Sequence, residues 1–437
     1  MFIDSFPSRT PGGAMPWRRL AVGIATALAM GAGAAHAADT LTLDQALRLA
    51  QTRSRALVAQ DATASAARDM AVAAGQRPDP TLKLGINNLP VNGADRFSPT
   101  RDFMTMRSIG VMQEFTREDK LKARAGRYER EAGVAEAGRS LALANLQRDT
   151  ALAWLDRLYQ ERVRDVLVTQ RDEARLQIDA AEAAYRGGRG TQADVFAARS
   201  AVAQIDDRIE QAERQVTTAR TQLARWIGPA ASDPLGSAPA LDAVRLRPQD
   251  LETQLAHHPE IAVMQKQEEV AQAEANIAQA NKKTDVSVEL MYSQRGPAYS
   301  NMVSLNVSIP LQWDQKNRQD RELAAKLANV EQKRAEREEA TRAHVAEALA
   351  MLQEWRSDRE RLTRYDSSLL PLATERTRAT IAAYRGGVGT LTAVLEARRA
   401  EIDTRVERLR LEMGAARLWA QLNYLVPVGH DMTAPQP

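Results

Sequence analysis

Cysteine is absent from the 437 residues. Disulfides, thiol catalysis, Cys-ligated zinc, iron–sulfur clusters and a lipid anchor on an N-terminal Cys are thereby excluded. Histidine occurs five times and aromatic residues make up 5%. Neither charge sign is in large excess: 59 Lys and Arg face 56 Asp and Glu, a net charge of +3. A dedicated nucleic-acid binder carries a clear basic surplus, so the balance argues against that class. After residue 40 no run approaches the ~20 apolar residues of a membrane-spanning helix. No nucleophile–base pair, zinc motif or Gly-rich cofactor fingerprint is found, so neither an enzyme nor a cofactor is expected.

What is present begins at the N-terminus. Arg18 and Arg19 precede Leu20–Ala35, sixteen uncharged residues, and Ala35-His36-Ala37 is a small-x-small site. A basic n-region, a short apolar h-region and such a site predict a cleaved signal peptide over residues 1–37. Met15-Pro16-Trp17-Arg18-Arg19 would itself open a normal signal, so Met15 is a second candidate start. Removing residues 1–37 takes away three Arg and one Asp and leaves a net charge of +1.

The strongest internal feature is a duplication. Ala183-Ala184-Tyr185-Arg186-Gly187-Gly188-Arg189-Gly190-Thr191 recurs as Ala382-Ala383-Tyr384-Arg385-Gly386-Gly387-Val388-Gly389-Thr390, an offset of 199 residues. The match runs on through Val195/Val394, Ala198/Ala397 and Arg199/Arg398. Two repeats follow, over residues 38–227 and 248–428, with a Pro- and Gly-containing segment 228–247 between them and a tail at 429–437. Each repeat reads in one order. A helix (Leu43–Gln76; Pro248–Lys282) precedes two alternating stretches (Thr81–Asn87 and Ser108–Phe115; Val286–Tyr292 and Met302–Leu311). A very long helix (Lys120–Tyr185; Arg318–Tyr384) and a return helix (Thr191–Ile227; Thr390–Leu425) complete it.

The alternating stretches put Val286, Val288, Leu290 and Tyr292 on one face and Ser287, Glu289 and Met291 on the other. Val303, Leu305, Val307 and Ile309 likewise alternate with Ser304, Asn306 and Ser308. That period fits a strand with lipid outside and water inside, and equally a half-buried soluble strand. Context favours the barrel: two hairpins in a chain of this length are flanked by helices too long for a globular core, and their edges need closure. Phe97, Phe103, Phe115, Tyr299 and Trp313 flank the strands as interfacial aromatics would. The loop Asn88–Arg107 is about eleven residues longer than Ser293–Asn301, and both are expected to face the exterior. The long helices span 66 and 67 residues, interrupted notably by Pro371. A narrow apolar stripe through Leu141, Leu152, Leu155, Leu158 and Val166, filled out with Ala, predicts close antiparallel helix packing.

At the end of each long helix, consecutive glycines stop the helix and reverse the chain, and Thr191 and Thr390 fit N-caps of the return helices. A phosphate-binding loop would need a preceding strand and a Lys-Ser/Thr pair, and has neither. His257-His258 precedes Pro259 at a helix start and reads as a cap or a surface pair, and His344 stands alone in a long helix. No metal site is expected from them.

With its duplicated helix–hairpin–helix order and the paired Tyr185-Arg186-Gly187-Gly188 and Tyr384-Arg385-Gly386-Gly387, the sequence resembles the TolC-like outer membrane efflux family over residues 41–428. Gln113-Glu114-Phe115 and Ser308-Ile309-Pro310-Leu311 at strand ends add to it. The resemblance implies a mainly α fold with a small β part. It also implies a homotrimer, with a twelve-stranded β-barrel in the outer membrane and a long α-helical barrel in the periplasm. Its implied partners are outer-membrane lipid, a periplasmic adaptor and an inner-membrane pump of the resistance-nodulation-division type. The adaptor-contacting tips would be Tyr185, Arg186, Gly187, Gly188, Gly190, Thr191, Tyr384, Arg385, Gly386, Gly387, Gly389 and Thr390. The acidic gate position maps to Asp194, either a luminal ring of carboxylates or a dipole-favoured first-turn residue. The Arg of the gate-locking network in TolC is Gly389 here, and the acidic residue that follows is Ala393. Pro78-Asp79-Pro80, Asn88-Leu89-Pro90-Val91, Asp102–Met106 and Ile309-Pro310-Leu311 with Asn317-Arg318 look most like heavy-metal efflux members. The expected function is therefore a passive exit duct for metal cations. Drug export, type I protein secretion and a non-transport periplasmic coiled-coil scaffold are the alternatives.

Overall fold

A computed structural model describes residues 40–246 and 258–428. The expected signal peptide, the start of the second repeat's first helix at Pro248 and the tail 429–437 lie outside the described residues. The described residues form a mainly helical fold with one small sheet. In chain order they give α1 Leu43–Arg53, α2 Arg55–Ala74, β1 Thr81–Asn87, β2 Met106–Phe115, α3 Glu118–Arg186 and α4 Gln192–Ile227. Then come α5 Pro259–Asn281, β3 Val286–Gln294, β4 Met302–Ser308, α6 Gln319–Arg364, α7 Leu370–Arg385 and α8 Leu391–Asn423.

Three departures from the sequence expectation go beyond one or two residues at an element's end. Leu43–Gln76 is two helices, because Ser54 takes extended backbone (φ −68°, ψ 112°) and its hydroxyl accepts from the Leu57 N–H at 3.4 Å, capping α2. β4 stops at Ser308 rather than Leu311, since Pro310 brings no N–H to a ladder. The second long helix continues past Pro371 as α6 and α7, joined by a five-residue π-helical turn at Tyr365–Leu369. Such a turn relieves the hydrogen bond that proline cannot donate.

The four strands make one antiparallel sheet in the order β1-β2-β3-β4. Its register stacks Leu82, Val111, Leu290 and Leu305 in one cross-strand row, and Leu84, Ile109, Tyr292 and Val303 in the next. All eight are exposed, so the protomer presents an uncovered apolar face across all four strands. The opposite face carries Lys83, Glu289, Ser304 and Asn306, with Lys83 Nζ 2.7 Å from Glu289. Gly110 is required at its place in β2: a Cβ there would lie 2.9 Å from the Leu290 carbonyl oxygen. Residues 88–105 and 295–301 connect the hairpins at one end, where the Arg295 Nε–H donates to the Phe103 carbonyl at 2.9 Å. At the other end Lys120 Nζ meets Asp285 at 2.7 Å, and the same carboxylate accepts from the Arg117 N–H at 3.0 Å, fixing the sheet to α3.

α3 has 69 residues and, at ~1.5 Å per residue, is about 100 Å long. It packs against α2 and α5 along the part nearer the sheet and against α4 and α8 beyond. The expected narrow stripe is wrong for its middle: Thr150, Ala151, Ala153, Trp154, Leu155, Arg157, Leu158 and Tyr159 are all buried, while Leu152 and Val166 are only half-buried. α1, α4, α8 and the inter-repeat segment surround this section, so burial extends round the helix. The belt supplies partners for its largest polar side chains, though the buried Thr150 hydroxyl has none. The Trp154 indole N–H donates to the Leu41 carbonyl at 3.1 Å, Arg157 to the Ala231 carbonyl at 2.6 Å, and Tyr159 to Glu412 at 3.1 Å. The inter-repeat segment runs over the surface and is tied down by a parallel bridge between Leu41 and Leu235 and by the Trp419 indole donating to Ala243.

Candidate functional site

The glycine motifs end α3 and α7 and turn the chain into α4 and α8, as the sequence predicts. The two turns are built alike. In the first, Gly187 donates to Ala183, Gly188 to Tyr185, and both Arg189 and Gly190 to Ala184, at 2.9–3.2 Å. In the second, Gly386 donates to Ala382, Gly387 to Tyr384, and both Val388 and Gly389 to Ala383, at 2.9–3.1 Å. Gly188 and Gly387 have φ of 70° and 76°, a region costly for residues with a Cβ. Gly389 allows close approach instead: a Cβ would lie 2.9 Å from the Tyr384 nitrogen.

The two tips, 199 residues apart in sequence, share one small core. Ala181, Val195, Ala198, Leu391 and Val394 are buried there, with Ile381 and Tyr384 packed against them. Arg186, Gly187, Gly188, Arg385, Gly386 and Gly387 remain exposed at the turns, as do Tyr185, Thr191 and Thr390. Val388, 86% exposed, and Phe196 add apolar surface that sequence reasoning passed over. Val388 was legible in principle, as an apolar residue where the first tip has Arg189.

Thr191 and Asp194 form a capping box. The Asp194 N–H donates to the Thr191 hydroxyl oxygen at 3.2 Å, while the Thr191 N–H and hydroxyl donate to the Asp194 carboxylate at 2.8 and 2.7 Å. These two bonds hold the Asp194 carboxyl below the ordinary carboxylate range. In the second tip Ala393 replaces the acid, and the Thr390 hydroxyl accepts the Ala393 N–H alone, at 3.3 Å. A depressed carboxylate pKa contributes fully above its unfolded value and is lost as pH falls through the folded value. Acidification is therefore expected to loosen the first tip and not the second, and Thr191→Ala to do the same at neutral pH by about 0.5–2 kcal/mol. Hydrogen exchange at the Asp194 and Ala393 amides measures both.

Away from the tips, the structure revises the reading of the histidines. His258 caps α5, as its position before Pro259 suggested, with Nδ1 accepting from the Glu260 N–H at 3.3 Å. His344 is not alone: its ring lies 4.6 Å from that of His258, and its Nε2 is 3.2 Å from the Glu260 carboxylate. Burial, with His344 and Arg148 nearby, pushes the His258 imidazole down to about 4.

Among the described residues no helix is long and apolar enough to cross a membrane. Known proteins share this fold and part of this sequence. Residues 251–426 match the family model described as outer membrane efflux protein. No curated protein matches the chain. Among solved structures, the outer-membrane channel OprN superposes with a TM-score of 0.73 at 16% identity, covering 88% of this chain and 90% of its own. The outer membrane protein VceC of Vibrio cholerae gives 0.71 at 18%, covering 88% and 95%. CusC, described for its transmembrane channel formation, gives 0.73 at 16%, covering 88% and 92%. At these identities the likeness is one of fold.

Proposed function

We propose, from the match of residues 251–426 to the outer membrane efflux protein model, that the chain is one third of a trimeric exit duct in the bacterial outer membrane. The observation that carries this is the sheet. One protomer has four strands, an uncovered apolar face, and two edges, β1 and β4, without a partner in the described residues. Three copies placed edge to edge close into twelve strands, remove the open edges and turn every apolar row toward lipid. Phe115 and Trp313 stand exposed at the helical end of the sheet, and Phe97, Phe103 and Tyr299 in or beside the far loops, where two interfacial girdles belong. The signal peptide expected over residues 1–37 supplies export.

In this reading the helices continue the barrel as a periplasmic tube, and the shared tip core sets Tyr185–Thr191 and Tyr384–Thr390 at its far end. A periplasmic adaptor would grip the exposed Tyr185, Arg186, Arg385 and Val388, joining the duct to an inner-membrane pump of the resistance-nodulation-division type. Asp194 would serve first as a cap. Three copies near the axis would also make a cation-favouring acidic ring. The cargo is proposed to be heavy-metal cations, on the resemblance of Pro78–Pro80, Asn88–Val91 and Asp102–Met106 to metal-efflux members.

Deletion of the gene followed by growth on graded metals and drugs tests the cargo. Sensitivity to copper, silver, zinc, cobalt or cadmium is expected. Normal metal tolerance with drug hypersensitivity would assign the duct to organic compounds.

A further inference from the structure

We propose that His258, Glu260 and His344 form a binding site for a divalent transition-metal ion of the zinc, copper or nickel class, clamping the start of α5 to the middle of α6. Each residue offers one donor atom, and these atoms lie within 4.8 Å of one another. Two imidazoles and one carboxylate make a donor set suited to these ions and unsuited to calcium or magnesium, which take oxygen ligands.

The geometry is close to what such an ion requires. Ligand atoms bonded at ~2.0–2.1 Å in a tetrahedron stand about 3.3–3.4 Å apart. His344 Nε2 and Glu260 Oε2 are already 3.2 Å apart. The His258 donor lies within 4.8 Å of both, so a movement of at most about 1.4 Å brings it to the tetrahedral separation. Its Nδ1 contact with the Glu260 N–H, at 3.3 Å, is a long one to give up. His258 is only 6% exposed and its backbone is held by the cap and by Pro259, so one ligand is positioned in advance. His344 and Glu260 are more open and leave a route of entry. Arg148 faces His258, but its Nε is committed to the Asp149 carboxylate at 3.0 Å, which offsets its charge at the site. A fourth position is left for water or a further ligand, as in other three-ligand zinc sites.

The ligands come from two helices, so the ion would act as a cross-link within the second repeat. The site is independent of the cargo: a duct for organic compounds would hold the ion equally well, and a metal exporter without it would still conduct. Failure of one proposal therefore leaves the other standing.

The test uses the mature channel in detergent, stripped with a chelator and titrated with Zn²⁺ alone. One ion per chain is expected, with affinity falling at least tenfold in His344→Asn and in Glu260→Gln. With Cu²⁺, electron paramagnetic resonance is expected to show hyperfine coupling to two imidazole nitrogens in the wild type and one in His344→Asn. His344 is the more exposed ring, so this variant should keep the oligomer mass and melting temperature of the wild type. His258→Asn adds a second reading where it folds. His257→Asn and His430→Ala are expected to leave binding unchanged. Unaltered Zn²⁺ affinity in His344→Asn would overturn the proposal. So would loss of binding in His257→Asn, which would place the ion on the tandem histidines.

Discussion

Leu305→Arg is expected to abolish assembly of the channel in the outer membrane. Leu305 is 68% exposed, midway along β4 and at the end of a row it shares with Leu82, Val111 and Leu290. An Arg at the bilayer midplane of a barrel costs about 2–4 kcal/mol. A trimer carries the substitution three times, a penalty comparable to the whole stability of an ordinary domain. The control is its neighbour: Ser304 faces the other way, beside Met291, where a barrel has its water-filled interior. Ser304→Arg is expected to assemble normally and to alter ion conductance instead. Heat-modifiable trimer on a gel, with single-channel recording of whatever assembles, separates the two. Normal trimer yield from Leu305→Arg would mean that this face does not meet lipid.

Gly389→Val is expected to give the second large effect, this time without loss of the trimer. The new Cβ would stand 2.9 Å from the Tyr384 nitrogen and 3.0 Å from the Ala383 carbonyl carbon. Both neighbours are backbone and cannot rotate away, so the turn itself must open. Val388 and Arg385 would move, and Leu391 and Val394 would be pulled from the core shared with the first tip. Since the proposed adaptor grip lies there, resistance conferred by the pump is expected to fall at least tenfold while trimer amount in the membrane stays unchanged. Gly387→Ala, at φ 76°, adds about 1 kcal/mol of strain at the same turn and should give a milder loss. Gly126→Ala, in α3 with nothing within 4 Å of the added carbon, should be silent. Full resistance in Gly389→Val would remove the tips from the export function.

The features that sequence revealed are those whose physics acts locally. Gly387 needs a positive φ and Gly389 a close approach, so the turn demands a fixed spelling, and that spelling appears twice. Val303, Leu305 and Val307 alternate because a strand has two faces. The face they define continues into Leu290 and Tyr292 of β3 with no further information needed. What escaped depends on neighbours distant in sequence. Trp154 and Tyr159 look like excess apolar residues on a helix until α1, α8 and the inter-repeat segment close round them. His344 looks isolated because its partners precede it by more than eighty residues, on a helix whose lateral packing no local pattern reports. Asp194 lay between: its spacing from Thr191 was enough to place it in the first turn, but only the structure shows the carboxylate accepting from both donors of Thr191.

The central claim, that this chain forms a membrane duct only as three copies, is tested most directly by one mass. Native mass spectrometry of the mature protein extracted from the outer-membrane fraction is expected to find three chains, resistant to salt and alkali washing. A single chain, recovered in the soluble periplasmic fraction, would contradict it and leave a helical scaffold whose exposed strands have some other partner.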